Sequence, residues 1–80
     1  VDESFGRKFR RLRVSTTNPD TGYKFTQNDM ALMFSVTVMA IKHWEADRRR
    51  PGGPVMVMLS KLWPDDFPRK GVLYEQRISQ

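Results

Sequence analysis

Eighty residues make one domain rather than two, and a chain this short builds only a thin core. With no cysteine, neither a disulfide nor a thiolate zinc site reinforces that core, so helix packing or oligomerisation must. Fourteen Lys and Arg against nine Asp and Glu leave a net charge of +5, which suits a polyanionic partner. No apolar run approaches the ~18 residues of a membrane span, and the N-terminus carries no apolar signal region. The expectation is a cytoplasmic protein with no membrane partner.

Phe5, Phe9 and Leu12 recur at i, i+4 and i+7, one face of a helix, with Arg and Lys between them. Asp2, Glu3 or Ser4 can cap that helix and complement its dipole. From Ser15 to Gly22 run the turn formers Ser-Thr-Thr-Asn-Pro-Asp-Thr-Gly. Two readings stand there: a loop between helices, which we favour, and a short hairpin pairing Leu12–Thr16 with Tyr23–Thr26.

Thr26 offers an N-cap, and Asp29 sits where the reciprocal partner of a capping box belongs. Met30, Ala31, Met33 and Phe34 follow as the apolar positions of a helix of about two turns. After Ser35 and Val36, Thr37 offers a second N-cap, and Ala40, Ile41 and Trp44 mark the buried face of a second helix. Pro51-Gly52-Gly53-Pro54 breaks the chain, and Val55 to Trp63 reads as a further helix with Pro54 in its first turn. Pro64 stops it. The methionines at 30, 33, 39, 56 and 58 are expected to act mostly as core filler.

The fold class expected is mostly α: a small helical bundle of four to five short helices containing a helix-turn-helix. There is room for a short hairpin or extended segment at 12–26 or in the tail. Residues 1–80 are read as a single domain with its core at 5–63. The tail, 64–80, shows no clear period; its Val72-Leu73-Tyr74, like Val55–Trp63, is apolar enough to serve a dimer.

The cations fall in two groups. Arg48, Arg49 and Arg50 are expected to grip phosphate; for Arg7, Lys8, Arg10, Arg11 and Arg13, phosphate contact and a solvated surface stand level. Nothing points to an enzyme. The chain offers no carboxylate pair, nucleophile–base set, metal-ligand cluster or glycine-rich phosphate loop, so no cofactor, metal or catalytic residue is expected. His43 has neither a cysteine nearby for a metal nor a serine or acid spaced to make it a base.

Thr26-Gln27-x-x-Met30-Ala31-x-x-Phe34-Ser35-Val36-Thr37-x-x-x-Ile41-x-x-Trp44-Glu45, followed by Arg48-Arg49-Arg50-Pro51, resembles the Xre/Cro family of bacterial and phage regulators, and Pro51-Gly52-Gly53-Pro54 with its apolar helix looks like the small antitoxin-type members. The register holds from Thr26 to Pro51 without a gap. The resemblance implies a DNA-binding transcriptional regulator, a repressor or controller, acting as a homodimer on a palindromic double-stranded operator. Its recognition helix would span about 37–45, with Val38, Met39, Lys42 and His43 facing bases. Gln27 and Thr37 would join Arg48, Arg49 and Arg50 on phosphates. Lys42 and His43 carry the hydrogen-bonding groups; Val38 and Met39 suit thymine methyls or, alternatively, a protein partner. That alternative is a protein-binding module of the same fold, such as an antitoxin or antiactivator. Ala31 is small because the helices cross there, and Phe34, Val36 and Ile41 fill the wedge between them. Three departures stand out: Ser35 and Asp47 where the family has glycine, and a longer insertion at 15–25. The turn position often needs a left-handed backbone, which serine tolerates less well than glycine and aspartate enters more easily than most, so the exact turn geometry is left open.

Overall fold

The computed structural model describes residues 2–68, so the apolar run at Val72–Tyr74 lies outside the described residues. Four helices appear in chain order: α1 (Phe5–Ser15), α2 (Gln27–Phe34), α3 (Val38–Glu45) and α4 (Gly53–Leu62). The fold is a small, mostly helical one, with no strand among the described residues. Residues up to Arg50 form one compact unit and those from Pro51 a second.

Local chemistry sets each helix start. The Ser4 side chain accepts the Arg7 N–H at 3.2 Å and opens α1. At α2 the Asp29 N–H donates to the Thr26 hydroxyl at 3.0 Å, and the Thr26 N–H donates back to the Asp29 carboxylate at 3.0 Å. That is the expected capping box, and it satisfies two donors that a helix end otherwise leaves open. The bond from the Thr26 backbone, with side-chain bonds from Asn18 and Thr26, holds the Asp29 carboxyl below its ordinary pKa. Thr37 caps α3, accepting the Ala40 N–H at 3.1 Å.

The chain between α1 and α2 falls between the two sequence readings. Leu12 to Ser15 complete α1 instead of forming a strand, because the Ser15 and Thr16 hydroxyls close its last turn on the Arg11 and Leu12 carbonyls. Beyond them lies a loop pinched by one antiparallel bridge, Thr17 to Lys24. The Phe25 N–H donates to the Thr16 carbonyl at 3.1 Å, and the Asn18 N–H to the Tyr23 carbonyl at 2.7 Å. Asn18 is the hub: its side chain takes the Asp20 N–H at 2.9 Å, its carbonyl takes the Gly22 N–H at 2.8 Å, and the residue is buried. Gly22 turns the chain at φ +79°.

In the first unit α3 packs against both α2 and α1. Phe9 and Trp44 meet edge to face at 6.1 Å, and Phe34 lies 6.3 Å from Trp44 on another side. Met30 and Ile41 are fully buried, and Ala31 is buried on the same helix as Met30. The periodic positions separate as a 3.6-residue repeat demands, with two corrections. Ala40 and Val36 are only half-buried, and Met33 stands exposed. Of the five methionines only Met30 is core; Met39 and Met58 are exposed and Met56 is half-buried.

The second unit is described by itself. Gly52 precedes α4 without a side-chain cap, and Pro54 sits in its first turn, where its missing N–H costs nothing. Trp63 and Phe67 pack at 6.2 Å. No helix among the described residues is long and apolar enough to cross a membrane.

Candidate functional site

Two eight-residue helices, α2 and α3, are joined across Ser35, Val36 and Thr37. Ser35 takes the left-handed backbone at φ 56°, and its N–H and that of Val36 return to the Ala31 carbonyl. The departure from glycine therefore leaves the turn geometry in place. Asp47 likewise sits at φ 60°, and here the side chain supplies a reason of its own. Its carboxylate accepts the Gly6 N–H at 2.8 Å, tying the end of α3 to the start of α1. Bonds from the Ser4 side chain and the Gly6 backbone, with Arg50 nearby, hold that carboxyl below its ordinary pKa. Gly6 is obligatory at this approach: a Cβ there would stand 2.5 Å from the Trp44 carbonyl oxygen.

A buried ion pair fixes the other end of the α1–α3 contact. Arg13 donates from Nε and Nη2 to the two Glu45 oxygens at 2.6 and 3.1 Å, and from Nη1 to the Phe25 carbonyl at 3.0 Å. Both side chains are at most a tenth exposed. Gln27 donates its amide to the same carboxylate at 3.2 Å. One carboxylate thereby joins α1, the start of α2 and α3, and holds α3 at a set angle.

The face of α3 turned away from this core carries the four side chains assigned to base contact. Met39 and Lys42 are exposed; Val38 and His43 are half-buried. Val38 and Lys42 line an open groove of about 900 Å³. Arg10, Arg13, Lys24 and Gln27 line it with them, as does Glu45, paired with Arg13. Met39 and His43 are not among its lining residues, so the four positions divide into two pairs along the helix. His43 stands apart from any cluster of His, Cys, Asp or Glu able to hold a metal among the described residues.

The phosphate candidates also divide. Gln27 uses one of its two amide N–H donors on Glu45, which leaves the second, and its place at the first turn of α2, to meet an anion. Thr37 is exposed and its oxygen caps α3. Arg48 and Arg49 are exposed and, among the described residues, their side chains have no ion-pair or hydrogen-bond partner. Arg50 lies over the Phe5 ring at 5.3 Å, a cation–π contact that commits it to α1. The cluster in α1 is not one surface: Arg13 is internal, and Arg11 forms a two-pronged pair with Glu3 at 2.9 Å.

No family model, curated protein or solved structure matches the chain. The assignment of a role rests on the residues themselves.

Sequence reasoning missed Gly6, Lys24 and the work of Arg13 and Glu45. Glu45 belongs to the Trp44-Glu45 pair of the motif, which was a signal available in the sequence. Gly6 and Lys24 gave none, because each matters only through a partner distant along the chain or a loop whose shape was open.

Proposed function

We propose that this chain is a double-stranded DNA-binding transcriptional regulator of the Xre/Cro type, acting in the cytoplasm as a homodimer on a palindromic operator. In this reading α3 enters the major groove, Lys42 and His43 bond to base edges, and Val38 and Met39 meet thymine methyls. The observation that carries it is the outward face of α3. It presents Met39 and Lys42 to solvent, on a helix whose C-terminal end is tied twice to α1, by Asp47–Gly6 and Glu45–Arg13, with the Arg48 and Arg49 side chains unpaired among the described residues just beyond it. A rigid helix with flanking free cations suits a duplex, whose phosphates orient the protein while the bases discriminate.

Affinity for duplex DNA is expected to fall linearly with log salt, by about 0.9 log units per log unit of salt for each phosphate neutralised. Arg48→Ala with Arg49→Ala reduces that slope and leaves sequence preference nearly intact. A gel shift across a salt series checks it, and an unchanged slope shows the pair to be merely solvated. One observation favours a protein-binding module instead: the apolar residues Leu32 on α2 and Met39 on α3 are 81% and 57% exposed. A protein partner lost on Met39→Ser, with DNA untouched by any variant, supports that second reading.

A further inference from the structure

The groove beside α3 has an excess of positive charge. Arg10, Arg13, Lys24 and Lys42 line it, against the single carboxylate of Glu45, and Arg13 already neutralises Glu45. Arg10, Lys24 and Lys42 are left without a countercharge among the described residues. From this we infer that Lys24, with Arg10, holds the phosphodiester backbone of the duplex. The segment between α1 and α2 then forms a second backbone contact, separate from Arg48 and Arg49. The inference rests on the DNA-binding reading and adds to it a site on the insertion.

Lys24 is prepared for such a contact. Its ammonium donates to the Thr17 hydroxyl at 3.1 Å and to the Ser15 carbonyl at 3.4 Å. An ammonium has three donors, so one remains for a phosphate oxygen. A surface lysine ordinarily loses rotamer freedom when it binds; here the side chain is already held, so less is lost on association. The loop is held as well. The Thr17–Lys24 bridge closes it, Asn18 ties its turn together, and an Asn18 side-chain bond reaches the Asp29 carboxylate of the α2 capping box. The loop thus carries Lys24 on the same footing as the first turn of α2. Arg10 reaches the groove from α1, exposed and without a partner among the described residues.

The shape argues for a polymer. An open trough of about 900 Å³ with cations from α1, the loop and α3 accommodates a length of backbone, where a single small anion would call for an enclosed cage. The charged side chains of α1 and the loop meet phosphates, while Lys42, on the α3 side, remains available to a base edge.

The test compares the parent chain with Lys24→Gln, Lys24→Arg and Arg10→Gln, titrated with duplex DNA across a salt series and with a polyglutamate peptide as a second polyanion. Melting curves verify that each variant is folded. Lys24→Gln and Arg10→Gln are each expected to lower the log–log salt slope by about 0.9, with the preferred sequence unchanged, while Lys24→Arg retains the parental slope. A parental slope in both Gln variants overturns the inference and leaves the DNA-binding reading standing. A changed sequence preference overturns it in favour of a base contact. Loss of polyglutamate binding with DNA binding intact assigns the groove to an acidic protein. A parent chain that binds no duplex at any salt overturns the inference together with the reading beneath it.

Discussion

Ser35 and Asp47 share a left-handed backbone, yet the same substitution at the two positions should act in opposite directions. A side chain in this conformation costs about 1–2 kcal/mol relative to glycine, offset by glycine's larger loss of chain entropy of about 0.5–1 kcal/mol. Ser35 is exposed and its side chain is not needed to cap the turn, so Ser35→Gly is expected to stabilise the chain by about 0.5–1 kcal/mol. Urea unfolding measures it, and a loss of stability contradicts the account. Asp47→Gly relieves the same strain but removes the acceptor of the Gly6 N–H, so it should destabilise. Asp47→Asn keeps an acceptor oxygen and removes only the charge. Because the Asp47 carboxyl is held below its ordinary pKa, its contribution is present above the unfolded value of ~3.9 and is lost as pH falls through the folded one. The Asn variant should therefore lose less stability between pH 4 and pH 2 than the parent, as melting curves across that window would reveal. Glu3 and Asp29, also held low, keep part of the acid limb in place.

At the scale of elements, stability and geometry meet in the Arg13–Glu45 pair. Removing one member of a buried pair strands the other charge, which costs about 3–5 kcal/mol. Glu45→Ala is expected to lose that much, while Arg13→Met combined with Glu45→Leu recovers most of it, a difference that chemical denaturation resolves. If Glu45→Ala melts with the parent, the pair does not hold α1 to α3. The helices themselves were legible because their signals are local: Thr26 with Asp29, Thr37 with Ala40, and the apolar spacing of Phe5, Phe9 and Leu12 all act within two turns. The left-handed backbone at Ser35 and Asp47 was only half legible, since a non-glycine residue at a turn leaves its geometry open until the bonds around it are known. What could not be read was what joins the elements. Arg13 meets Glu45 across 32 residues, Gln27 meets Glu45 across 18, and Gly6 meets Asp47 across 41. Local rules carry no information over such separations, so the shared carboxylate of Glu45 is visible only in the fold. The insertion resisted for a related reason: one bridge at Thr17–Lys24 makes it neither a plain loop nor a two-stranded hairpin.

For the whole molecule, the net charge of +5 says less than its sorting. Arg13, Arg11 and Arg50 are committed to Glu45, Glu3 and the Phe5 ring. Among the described residues, the cations without a countercharge include Arg10, Lys24 and Lys42 around the groove, and Arg48 and Arg49 after α3. That distribution, with α3 clamped between them, is why a duplex is the partner proposed. The most direct measurement is a competition series for the parent and Lys42→Ala: the duplex best enriched from a random pool against every single-base change of it. The account predicts that the parent enriches a palindromic site. It further predicts that Lys42→Ala loses discrimination at one or two base pairs, by about 1–3 kcal/mol each, with the others unaltered. A parent that enriches no sequence, or a Lys42→Ala variant that weakens all duplexes alike, contradicts the claim that this face of α3 reads DNA.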